Sequence, residues 1–239
     1  MIVITRKHSY FTEDLTTLDL GTVLYDPTAK KMYILLAPGE LTEIGVEVLS
    51  VESAEALAEA ITAGGNIKVS TDIDAPTGFV ITEDTIIKNN AVISISEDTV
   101  GDGVFKATSG TLTLDGKGTI NGLDKSGWSM AIWATGNGKV IINDGYFTNV
   151  GAYSETDGEH FDLIYASENG QVEINGGEFK CETPKWTLNI KNSSRETASI
   201  VVKGGKFHGF NPMEAEEGNF VAPGYKVVEE DGVYTVIAE

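Results

Sequence analysis

Four copies of one short pattern point to an all-β chain coiled as a right-handed parallel β-helix. Leu112–Gly118, Val140–Phe147, Val172–Phe179 and Ile200–Phe207 each alternate apolar residues with others and then run into a small polar or glycine turn; the last three end in phenylalanine. Leu114, Ile142, Ile174 and Val202 occupy equivalent places at spacings of 28, 32 and 28 residues. A second short apolar run precedes each copy, at Val104–Ala107, Ala131–Ala134, Leu163–Ala166 and Leu188–Ile190. Self-similarity at this period marks a solenoid, and repeats built from strands alone narrow it to stacked β-coils.

The elements follow in order. Residues 1–49 fall outside the repeat and read as a small β module. Ile2–Thr5, Gly21–Tyr25, Lys31–Leu36 and Ile44–Leu49 are its candidate strands, the middle two joined by Asp26-Pro27 turn chemistry. A helix is expected over about Ser53–Ala63, within residues 50–65. Ser50 or Ser53 can cap it, Glu52 or Glu55 suits its positive end, and Gly64-Gly65 ends it. Ala54, Leu57, Ala58 and Ile61 share one apolar face. This helix is placed to cover the open end of the solenoid, whose first coil otherwise leaves strand edge and core bare. Residues 66–222 form the β-helix in six or seven coils. Residues 223–239 form a terminal hairpin, Tyr225–Val228 and Val233–Ile237, closing the other end.

Side-chain alternation decides what the coils bury. Leu112 and Leu114, Val140 and Ile142, Val172 and Ile174, and Ile200 and Val202 point inward. Phe147, Phe179 and Phe207 form one stack beyond the turn. Gly145, Gly177 and Gly205 share a slot that calls for left-handed backbone, and Asn143 with Asn175 suits a hydrogen-bonded ladder. Thr113, Ile141, Glu173 and Val201 point outward. Aliphatic residues recurring in such a column hint at a partner surface.

Composition limits the function classes. The 239 residues carry a formal charge of −19, with no basic stripe to neutralise phosphates, so nucleic-acid binding is not expected. Cys181 is the sole cysteine, which rules out an intrachain disulfide and reads as a small buried apolar residue. No run of about 18 apolar residues is present to cross a membrane, and the start of the chain does not read as a secretory signal. The spacing of the calcium-binding nonapeptide repeat is absent; no metal or cofactor is expected.

Candidate contact residues lie on the second strand and in the loops. If Ala107, Ala134, Ala166 and Ile190 are equivalent, then Lys106, Trp133, Tyr165 and Asn189 form an outward column. Trp133 over Tyr165 is then a sugar platform or a subunit contact; a register slipped by one makes both rings core. The coil with the longer spacing is expanded between Phe147 and Phe161, gathering Tyr153, Glu155, Asp157, Glu159 and His160, with Asp162 beside it. Insertions in a solenoid collect on one face, often the binding face. Trp128 and Trp186 lie in loops expected on that same side. Glu155, Asp157, Glu159 and Asp162 are the alternative acid sites for glycan cleavage, which requires two carboxylates at a set separation. No strand fixes their spacing, no catalytic residue is assigned, and a non-enzymatic reading is favoured.

The repeated strand-Asn-Gly-Gly-x-Phe unit and the terminal stretch Gly224–Val236 resemble pectate-lyase-like β-helix proteins of gut bacteria and their phages. Met1–Leu36, with Gly21–Lys31 at its centre, is similar to the N-terminal anchoring part of bacteriophage head-fibre or virion decoration proteins. That resemblance implies a homotrimer held on a capsid or other virion protein through residues 1–49. It implies assembly in the host cytoplasm and a distal β-helix facing host or surface glycan. A polysaccharide-degrading tailspike-like enzyme and an extracellular or cell-surface bacterial adhesin are the alternatives.

Overall fold

Short stretches in which every second residue is apolar become strands, and nearly all of the regular structure in the computed structural model is of this kind. It describes residues 3–5, 23–26, 31–37, 40–44, 48–95, 103–123, 130–152 and 162–239. The chain divides into two compact units, Met1–Glu47 and Val48–Glu239. Among the described residues no helix is long and apolar enough to cross a membrane.

The first unit holds a four-stranded sheet of β1 (Val3–Thr5), β2 (Val23–Asp26), β3 (Lys31–Ala37) and β4 (Glu40–Ile44) in that order. β1 lies parallel to β2, and β2–β3 and β3–β4 are antiparallel, with a register shift at Leu35/Ala37. The expected strand Ile44–Leu49 is two elements. β4 stops at Ile44, and Val48–Val51 begins the second unit by pairing with Gly65–Val69.

The second unit is built from three sheets that the chain visits in rotation. The seven-stranded sheet contains β5 (Val48–Val51), β6 (Gly65–Val69), β9 (Thr85–Asn89), β12 (Thr111–Asp115), β15 (Lys139–Ile142), β18 (Gln171–Ile174) and β21 (Ser199–Val202). The eight-stranded sheet contains β7 (Ile73–Ala75), β10 (Val92–Ile95), β13 (Thr119–Asn121), β16 (Tyr146–Thr148), β19 (Glu178–Lys180) and β22 (Gly205–His208), then β24 (Val233–Ala238) and β23 (Tyr225–Glu230). The five-stranded sheet contains β8 (Phe79–Ile81), β11 (Phe105–Ala107), β14 (Ile132–Ala134), β17 (Ile164–Ala166) and β20 (Leu188–Ile190). From β6 to β22 each strand pairs in parallel with the strand three places on. Each repeat therefore supplies three strands: the phenylalanine that ends a copy lies in a strand of its own, on a different sheet from the alternating run before it.

The core columns follow the expected alternation. Leu112, Val140, Val172 and Ile200 are in register and buried, as are Leu114, Ile142, Ile174 and Val202. Phe147, Phe179 and Phe207 stack with centroids 5.0 and 4.8 Å apart and planes within 11°. A second stack, Phe79 on Phe105 at 5.5 Å, heads the five-stranded sheet. Gly145, Gly177 and Gly205 have φ of 120°, 95° and 106°, the left-handed region their common slot demands. Asn175 Nδ2 donates to Asn143 Oδ1 at 3.1 Å as the expected amide ladder, and a separate amide pair, Asn169 on Asn137, lies in the turn before the same two strands.

Both ends of the ladder are covered. Helix α1 (Ala54–Ala63) starts at Ser53, whose hydroxyl accepts from the Ala56 N–H, and ends at Gly64 with φ 73°. It buries Leu57, Ala60 and Ile61, whereas Ala58, expected on the apolar face, is exposed. At the other end β24 lies antiparallel on β22 and β23 on β24, turning through Asp231 and Gly232, both at positive φ. Phe210, Phe220 and Val221 close the core beneath the last strands.

Candidate functional site

Each strand of the five-stranded sheet is three residues long, so the flanking two enter the core and only the middle one faces out. Register places Val80, Lys106, Trp133, Tyr165 and Asn189 in one outward column. Of the two registers open in the sequence, this is the outward one, although Trp133 and Tyr165 are half-buried rather than fully exposed.

Neighbours in the column lean on one another. Lys106 Nζ sits 3.9 Å from the centre of the Trp133 ring, a cation on an aromatic face. On the next rung Tyr165 lies 6.0 Å from Trp133 with the planes tilted by 56°. The indole Nε1 donates to Ser167 Oγ at 2.9 Å, and that hydroxyl donates to the buried Thr135 Oγ1 at 2.9 Å. Trp133 is thereby pinned by its polar atom and presents an apolar edge. Asn189 Nδ2 donates to Asp162 Oδ1 at 2.8 Å. Burial, and then the Asp162 carboxylate, push the Tyr165 phenol above its ordinary pKa. The column thus carries a cation above its two rings and a carboxylate–amide pair below. Such a surface offers apolar C–H contact between hydrogen-bonding groups of opposite sense.

Of the other predicted residues, Asp162 and Trp186 lie between strands of the eight- and five-stranded sheets, just before β17 and β20. Trp186 lies in a 3-10 turn, Pro184–Trp186, before β20, packed against the core with Lys185 Nζ 4.9 Å from its ring centre. Its Nε1 is enclosed and lacks a hydrogen-bond partner among the described residues. Trp128, Tyr153, Glu155, Asp157, Glu159 and His160 lie outside the described residues. Asp162 is therefore the one described member of the predicted acid set. Sequence reasoning missed the tie between successive corners: Asn149 Oδ1 accepts from the Glu182 N–H at 2.8 Å, and the Glu182 carboxylate accepts from the Gly151 N–H at 2.6 Å. Asn149 is fully buried, and only its distance of 33 residues from Glu182, close to one repeat, signals the link. Cys181 is buried beside it, and desolvation pushes its thiol up to about 12, far from a reactive thiolate.

Two shallow concavities lie on the surface of the described residues. One, of about 360 Å³, runs along α1 between Ala54, Ala58, Ile61, Pro76 and Phe79, and reaches Val80 at the head of the column. The other, of about 400 Å³, follows the glycine turns past Lys117, Asp144, Tyr146, Glu178 and Lys206. Its carboxylates are engaged: Lys117 holds Asp144 at 2.8 Å and below the ordinary carboxylate range, and His208 Nε2 lies 2.6 Å from Glu178. Neither carboxylate is an unengaged acid or base. Among the described residues no group of three or more His, Cys, Asp or Glu side chains could hold a metal ion. No family model, curated protein or solved structure matches the chain.

Proposed function

We propose that the second unit is a right-handed parallel β-helix and that the chain is a structural protein of the bacteriophage head-fibre or capsid-decoration kind. In this reading it is a homotrimer anchored to a virion through its N-terminal residues, and the β-helix is presented for host or glycan contact. The observation that carries the reading is a strand ladder capped at both ends and joined to a separately organised N-terminal unit. Such an arrangement suits a protein whose work is to hold a surface in place. The phage assignment rests on the resemblance of Gly21–Lys31 and of the Asn-Gly-Gly-x-Phe repeats. A depolymerase is less well supported, since Asp162 is bonded to Asn189.

Removal of residues 1–47 tests the anchor. The cut must stop there because Val48–Val51 pairs with β6. The truncated chain is expected to unfold as cooperatively as the full one yet to be absent from assembled particles. Incorporation at the wild-type level would refute the anchoring role. Glycan contact is supported by the Lys106–Trp133–Tyr165 column, because C–H faces of sugars pack on aromatic carbon. On a glycan array, Trp133→Ala is expected to lose at least tenfold in signal against wild type while still unfolding cooperatively. Equal signal would remove the column from recognition.

A further inference from the structure

Asn121, Asn137, Asn169 and Asn175 are each followed by glycine. In such a pair the backbone nitrogen of the next residue can attack the side-chain amide carbon, because glycine has no side chain to crowd the approach. A bond forms from that nitrogen to Cγ and the Cγ–Nδ2 bond breaks. Nδ2 leaves as ammonia, carrying the proton of the attacking N–H. Water then opens the cyclic imide at either carbonyl, giving aspartate or isoaspartate with no change of oxidation state. The attacking nitrogen must first give up its proton, so an N–H already held by a carbonyl oxygen resists the step.

The fold treats the four glycine N–H groups differently. Gly122 N–H donates to the Thr148 carbonyl at 2.8 Å, Gly138 to Thr135 at 2.9 Å and Gly170 to Ser167 at 2.9 Å. Gly176 N–H has no acceptor among the described residues. Asn121 is half-buried as well, whereas Asn137, Asn169 and Asn175 are exposed. Accessibility therefore does not set Asn175 apart from Asn137 and Asn169; the unbonded N–H of its glycine does.

The turn after β18 also has a use for both members of the pair. A Cβ on residue 176 would lie 2.4 Å from the Asn143 carbonyl oxygen, so only glycine fits there. Asn175 makes the ladder: its Nδ2 donates to Asn143 Oδ1 at 3.1 Å, and its amide also bonds the Glu173 carboxylate, which Lys203 holds at 3.1 Å. Both acceptors engage the nitrogen that departs, and neither engages the Gly176 N–H.

We infer that Asn175 is a self-modification site, converting to aspartate and isoaspartate in the folded chain ahead of the other three asparagines. The product places a carboxylate where the amide donated, facing the two acceptors Asn143 Oδ1 and Glu173, so the rung is lost. Isoaspartate also lengthens the backbone by one atom in a turn that packs closely on Asn143.

Site-resolved mass spectrometry of the full chain, aged at mildly alkaline pH, tests the inference. Asn175 is expected to gain one dalton at least tenfold faster than Asn121, Asn137 and Asn169. In the guanidinium-unfolded chain the following glycine alone governs, and the four rates are expected to converge. A smaller advantage of Asn175 over any of the three in the folded chain overturns the inference. So does a folded chain in which none of the four converts while the unfolded chain converts fully. The same tenfold lead of Asn175 in the unfolded chain would also overturn it, because the fold would then not be the cause.

Discussion

Phe179 sits between Phe147 and Phe207 with its planes within 11° of both and no exposed surface. A ring in this place supplies apolar burial and two offset stacking contacts, each worth about 0.5–1.5 kcal/mol beyond area. Neighbouring rungs cannot collapse into the space, because backbone pairing fixes β16, β19 and β22 in place. Phe179→Ala is therefore expected to lose about 3–5 kcal/mol in urea unfolding. A loss under about 1 kcal/mol would mean the stack does not hold the rungs. Gly177 beneath it has φ 95°, and a Cβ there would lie 3.1 Å from the Gly145 carbonyl oxygen and 3.5 Å from two of these rings. The glycine slot therefore reflects both the backbone conformation and the close approach of the carbonyl one rung before. The Lys106–Trp133 contact belongs to the same logic of neighbours one rung apart, now on the outer surface.

At the scale of elements, α1 shows what local sequence does and does not specify. Ser53 caps the helix and Gly64 ends it, both readable from residue type alone. Ser53→Ala is expected to cost about 1 kcal/mol, seen as a lower melting temperature with strand signal unchanged. The buried face was legible only in part. Leu57 and Ile61 are buried as expected, but Ala60 replaces Ala58, since the neighbouring strands rather than periodicity decide which alanine of a short helix is covered. The four copies were legible because each core position recurs in register, and the Asn143–Asn175 ladder followed from the same alignment. The third strand of each repeat was not, because β13, β16 and β19 have three residues and one buried side chain apiece. At the candidate site the column was legible as one of two registers, and backbone pairing decides between them. The hydroxyl pair Ser167–Thr135 that pins Trp133 left no sequence signal, because serine and threonine at a turn read as turn chemistry.

For the whole molecule, charge and topology pull in different directions. A chain of net charge −19 repels its own kind at long range. Association therefore has to overcome that repulsion through short-range contact. At physiological salt the repulsion is screened beyond about 8 Å, so short-range contact decides the outcome. The proposed fibre stands or falls on assembly, since it would be built from copies of one chain. Sedimentation equilibrium of the full chain at micromolar concentration and 0.15 M salt measures this directly. A single species at three times the 25.5 kDa chain mass is expected; a species at the chain mass itself, unchanged at tenfold higher concentration, would contradict it.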